Sequence, residues 1–246
     1  MADTRLGPPA DSLLIDIRAF ARKLPQPLGK LRKAARQWLD AHSGSCDLRL
    51  AKDYVEDAQR LAQQDSPGLD NATAALLQGA VILYARPFDD SATHHRGTLP
   101  LISKLTAESQ RLHRQVIELR HKGVAHFDGG GVSRPWSVDY ATIIIEHGRY
   151  QTMSCSNRAL FQPRFAAEFH DHLAVTCALA DGLADSRRVE FERQFREAWS
   201  TNDEIDRLLL ASKLDPEVLH GWDGPVLGGL REGRSITVVK GDPTGF

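Results

Sequence analysis

Leu101-Ile-Ser-Lys-Leu-Thr-Ala-Glu-Ser-Gln-Arg-Leu-His-Arg-Gln-Val-Ile-Glu-Leu119 leads directly into Arg120-His-Lys-Gly-Val-Ala-His-Phe-Asp128. Leu101, Leu105, Leu112, Val116 and Leu119 recur at helical spacing, which predicts a helix over 101–119 with one buried face. Arg120 follows Ile117 and Val116 by three and four residues and His113 by seven, so it shares their side of the helix. An arginine at the edge of an apolar stripe is costly without a partner. Glu118 and Asp128 are the nearby acids. Gly123 predicts the helix stop, which delivers His126 just past the end, where a short turn can fold it back toward Arg120.

The flanking segments repeat the same pattern. After Pro8-Pro9, Ser12 can cap a helix with Leu13, Ile17, Phe20 and Leu24 on one face, ended by Pro25 and Pro27. A second helix is expected over 28–41, with Leu31, Ala35, Trp38 and Leu39 inward and Gly44 as its exit. A third is expected over 48–64, with Leu50, Tyr54, Val55, Ala58 and Leu61 on its apolar side, then a Pro67-Gly68 turn. Residues 69–84 are apolar on most sides, as a central helix is. A polar loop holding His94-His95 separates that helix from the 101–119 helix. Beyond the triple glycine at 129–131, β-branched Ile143, Ile144 and Ile145 and the His147-Gly148 pair predict a β-hairpin at about 137–155. Helical spacing resumes at Pro163 and runs to Trp199 with Gly182 as a possible interruption, placing Phe165, Phe169, Leu173, Thr176 and Leu179 on one side. Asn202-Asp203-Glu204 caps a short helix to Leu210, Asp215-Pro216 can start another, and a Gly- and Pro-rich tail closes the chain. These elements predict an all-α, up-and-down helical bundle with a small hairpin insertion in residues 1–200, and short helices and a tail in 201–246.

A chain of 246 residues can bury a sizeable core, and a net charge of -1 excludes a uniformly basic nucleic-acid binder. Basic residues are nevertheless concentrated from Arg18 to Arg36 with no acid among them, a patch able to attract phosphate or simply to be a solvated helix face. Cys46, Cys155 and Cys177 cannot all pair and show no metal spacing, which fits reduced thiols in a cytoplasmic protein. The N-terminus lacks an apolar signal core, and no membrane partner is expected. His170 and His172 lie two apart on a helix, about 200° around it, so they do not readily grip one metal. No glycine-rich loop leads into a Lys-Ser/Thr pair, and no cofactor or metal is implied.

The Arg120-His121-x4-His126 spacing resembles the Arg-x(4-6)-His motif of the HEPN families, helical domains many of which are metal-independent ribonucleases of toxin, antiviral and RNA-processing systems. Tyr84-Ala85-Arg86-Pro87-Phe88, near the end of the preceding apolar helix, extends the likeness to HEPN-like families related to abortive-infection proteins. The likeness covers 69–128, and His121 fits a position usually held there by Asn, Asp or His. It implies a homodimer with RNA as substrate, a composite site across the dimer axis, and an antitoxin or regulatory protein as further partner. Such a site would use His126 for proton transfer, Arg120 on the phosphate and His121 to orient or contact substrate, while Arg86, Arg111, Arg114 and Lys122 would hold the RNA backbone. Histidine has both protonation states within reach near neutral pH, and arginine stays charged with donors that match phosphate oxygens. The alternative is a non-catalytic HEPN-like module that binds nucleotide, RNA or a protein.

Overall fold

The computed structural model describes residues 15–64, 69–89, 98–121, 138–146, 149–157 and 162–213. Helix α1 (Ile17–Lys23) starts at Asp16, whose carboxylate accepts from the backbone N–H of Arg18 at 2.8 Å and of Ala19 at 3.1 Å. The cap therefore comes four residues later than Ser12, which lies outside the described residues. Pro25 and Pro27 do end the helix, and a single 3-10 turn leads into α2 (Gly29–Ala62).

One helix of 34 residues, α2, replaces the two expected over 28–41 and 48–64. The reason is tertiary. A Cβ on Gly44 would come within 2.7 Å of Leu99 Cδ1 and 3.3 Å of Pro87 Cβ, so this glycine admits Pro87 and Leu99 against an unbroken helix. Leu50, expected inward, is exposed, whereas Leu48, Val55 and Ala58 are fully buried. Helix α3 (Leu69–Ala85) follows the expected range and buries Ala74, Leu77, Val81 and Tyr84.

Helix α4 (Ala107–Leu119) begins later than Leu101. A 3-10 turn over Ile102–Lys104 precedes it, and the Thr106 hydroxyl caps it by accepting from Ser109 N–H at 3.2 Å. Leu101, Leu112, Val116 and Leu119 still reach the core. Strands β1 (Val138–Glu146) and β2 (Arg149–Asn157) pair antiparallel, Val138 opposite Asn157 and Glu146 opposite Arg149. The link at 147–148 lies outside the described residues.

Helix α5 (Pro163–Thr201) passes through Gly182 without interruption. Nothing approaches within 4 Å of a Cβ placed there, and an isolated glycine costs only ~1 kcal/mol in a helix, too little to break one fixed by its neighbours. Phe165, Phe169, Leu173 and Thr176 line its buried side as the spacing predicts. Helix α6 (Glu204–Leu210) follows Asp203, and the Asn202 side chain accepts from Glu204 N–H at 2.9 Å just before it.

The chain divides into two compact units, one formed by residues up to Ala35 and from Glu192 on, the other by Arg36–Phe191. In the first, Phe20, Leu24, Leu31 and Ile205 are buried, and Phe20 meets Phe195 edge-on at 6.0 Å. Two cations of the basic patch act locally there: Lys23 donates to the carbonyl of Ala211 and Arg32 to that of Leu24. In the second unit, α2, α3, α4 and α5 enclose an aliphatic and aromatic core centred on Leu48, Leu77, Tyr84, Val116, Phe169 and Leu173. The architecture is an all-α helical bundle. No helix among the described residues is long and apolar enough to cross a membrane.

Candidate functional site

Helix α4 carries a polar cluster toward each end. At its C-terminal end Arg120 keeps helical backbone angles, φ -59° and ψ -46°. Opposite it the chain leaves α3 through a tight turn, with the N–H groups of Phe88 and Asp89 both donating to Ala85 O at 3.0 Å. That turn brings Asp89 Oδ2 to 3.0 Å from Arg120 Nη2. The arginine side chain is 30 % exposed and the aspartate 18 %, so the pair sits at the rim of the core. Arg120 Nη1 also lies 3.1 Å from His121 Nδ1. A guanidinium can only donate, so Nδ1 accepts and the imidazole hydrogen resides on Nε2.

Of the residues singled out in the sequence, Arg120 and His121 are thus together, with Asp89 as a partner the sequence reading did not name. Arg86 stands in the turn after α3 but engages Asp47 of α2 at 3.3 Å. Arg114 is exposed on α4, and Arg111 belongs to the opposite end of that helix. His126 and Lys122 lie outside the described residues, as does the His94-His95 pair.

The second cluster is buried. His113 and His172 are 6 % and 4 % exposed, and both reach the hydroxyl of the fully buried Tyr84. Tyr84 Oη is 2.7 Å from His113 Nδ1 and 2.6 Å from His172 Nε2. Ser109 Oγ is 2.7 Å from the other His172 nitrogen, Nδ1. The result is a four-member chain, Ser109, His172, Tyr84 and His113, drawn from α3, α4 and α5. Rings seal it: Phe88 meets His113 edge-on at 4.9 Å and Phe169 meets Tyr84 edge-on at 5.4 Å.

Burial sets the charge state. Loss of water pushes His172 down to about 4, with the neighbouring His113 adding to the effect. Burial also lowers His113, helped by the Arg114 charge, and raises Tyr84 well above its ordinary range. All three rings are therefore neutral at pH 7. Tyr84 has one hydrogen for two ring nitrogens, so the chain has two settings that reverse together. In one, Ser109 donates to His172, His172 to Tyr84, and Tyr84 to His113. In the other every bond runs backwards.

Ser109 and His172 form part of the wall of a cleft of about 400 Å3, shared with Thr106, Arg111, Arg164 and Glu168. His170 turns away to Glu56 at 3.0 Å, as its angular offset from His172 requires. No group of three potential metal ligands occurs among the described residues. The sequence did hold a signal for the buried chain. Tyr84, His113 and His172 each interrupt an apolar stripe, and buried polar side chains in one core need partners.

Compared with known proteins, the chain matches no family model, no curated protein and no solved structure.

Proposed function

We propose that this protein is a HEPN-like, metal-independent endoribonuclease of toxin or antiviral-defence type, working as a homodimer with the Arg120-to-His126 segment at its composite site. The observation that carries the reading is the arginine. Arg120 stands at the end of an amphipathic helix, oriented by Asp89 and 30 % exposed, with His121 beside it. A guanidinium has five donors, and one carboxylate and one ring nitrogen do not exhaust them, so a phosphate can be bound on its open side.

In this mechanism Arg120 takes the charge that develops on the phosphorane, His121 contacts substrate through its Nε2 hydrogen, and His126 moves the proton of the ribose 2'-hydroxyl or of the leaving 5'-oxygen. The products are a 2',3'-cyclic phosphate and a 5'-hydroxyl. An antitoxin or regulatory protein is the partner this role calls for.

The test is cleavage of end-labelled tRNA and mRNA by the purified chain in EDTA, beside Arg120→Met and His126→Ala. Cleavage that persists in EDTA and falls by about 10²-fold or more in each variant supports the reading. Equal cleavage by wild type and variants would remove this mechanism, and none by a folded dimer would move the assignment to a non-catalytic module that binds nucleotide, RNA or a protein partner.

A further inference from the structure

The other end of α4 offers different chemistry, and it stands independently of the Arg120 site. We propose that Ser109 is a nucleophile with His172 as its general base, and that the cleft beside them accepts a small, neutral carboxylic ester. Three observations converge on this assignment. Ser109 Oγ lies 2.7 Å from His172 Nδ1, within the reach a base needs to take a hydroxyl proton. The opposite ring nitrogen, Nε2, is held at 2.6 Å by Tyr84, which fixes the plane of the imidazole. Of the four groups in the chain, Ser109 is half-buried and borders the cleft together with His172, whereas Tyr84 and His113 are sealed in the core.

The reactive setting is the one in which Ser109 donates. The Ser109 proton passes to His172 Nδ1 as a bond forms between Oγ and the acyl carbon. Collapse of the tetrahedral species breaks the bond to the alcohol oxygen, which leaves with the proton from Nδ1. Water then repeats the sequence at the same carbon, giving its proton to Nδ1, and the carboxylic acid departs as Ser109 regains its hydrogen.

During each transfer the imidazolium donates from Nε2 to Tyr84, whose own hydrogen goes to His113 Nδ1, so the transient charge is shared along the buried chain. Tyr84 and His113 are thus positioning residues. Around the cleft, Arg111 and Arg164 face Glu108, Glu168 and Asp171, two positive charges against three negative, so the site disfavours an anion. A neutral ester fits that balance.

The experiment treats the full chain with a tagged alkyl fluorophosphonate, which phosphonylates activated serines, and locates the adduct by peptide mass spectrometry. Labelling is expected at Ser109 in the wild type and is expected to slow by about 10²-fold or more in His172→Gln. In Ser109→Cys the thiol should react with iodoacetamide faster than that of exposed Cys46. A wild-type chain left unmodified at Ser109 overturns the assignment without reference to any variant, and so does labelling at an unchanged rate in a folded His172→Gln protein. Cleavage of RNA is a separate readout, so either site can fail alone.

Discussion

The two clusters that α4 carries differ in charge and in burial: an ion pair at the rim and a neutral hydrogen-bonded chain in the core. At the C-terminal end a guanidinium, charged by its own chemistry, is partly open to water and faces the Asp89 carboxylate at 3.0 Å. In the body of the helix and across to α5, His113 and His172 meet hydroxyl groups and aromatic rings, and burial keeps them neutral. The same turn of chain serves both: Tyr84 closes the buried cluster, and five residues later Asp89 closes the exposed one. Residue type sets the charge of the exposed cluster, an arginine, while burial sets the neutrality of the histidines in the other.

The largest test of that contrast is pH. His172 has its folded-state value pushed to about 4 from an ordinary 6.5, so between those values the unfolded chain binds a proton that the native chain refuses. Its contribution is fully present above pH 6.5 and is lost as pH falls toward 4, by roughly 3 kcal/mol, with His113 acting in the same direction. Urea unfolding at pH 7.5, 6 and 5 should show the decline already under way before carboxylates titrate. His172→Gln should flatten it, and a profile unchanged by that substitution would break the contrast.

Next in size is Tyr84→Phe. It keeps the ring in its aromatic surroundings but removes the hydroxyl from both histidines, at an expected cost of about 2 kcal/mol. A midpoint in denaturant equal to that of the wild type would mean the hydroxyl bonds contribute nothing net. The smallest effect belongs to the exposed cluster. A double-mutant cycle of Arg120→Met with Asp89→Asn should give a coupling below about 1 kcal/mol, because the pair is partly solvated. A coupling of several kcal/mol would turn the pair into a structural lock and leave Arg120 less free to take a phosphate.

Much of the fold was legible from spacing. The C-terminal end of α1, the range of α3 and the buried side of α5 follow from prolines and apolar periodicity, which act locally. The glycines misled. Gly44 and Gly182 read as breaks, yet both lie within long helices, and the reason for Gly44 is the approach of Leu99, a contact that local pattern does not encode. The position of Arg120 on the buried side of its helix was also readable, from His113, Val116 and Ile117. Its partner was not, since Asp89 stands 31 residues earlier and only the turn after α3 brings it near. The buried chain stayed hidden for the same reason. His172 entered the sequence reading only as half of a failed metal pair, and its partners Tyr84 and Ser109 come from two other helices.

The four-member chain also carries an implication for the order in which the protein assembles. Tyr84 and His113 are 29 residues apart, but His172 is 63 from Ser109 and 88 from Tyr84. Closing the larger loops is the costlier step in chain entropy, so α3 and α4 can meet while one face of Tyr84 still lacks its second ring. Until α5 arrives in register that face is a polar gap in an apolar surface, a mismatch that a helix docked one turn out of place would leave unfilled. The hydroxyl of Tyr84 is therefore fully partnered only when α3, α4 and α5 are all in register, a condition that apolar contact alone does not impose.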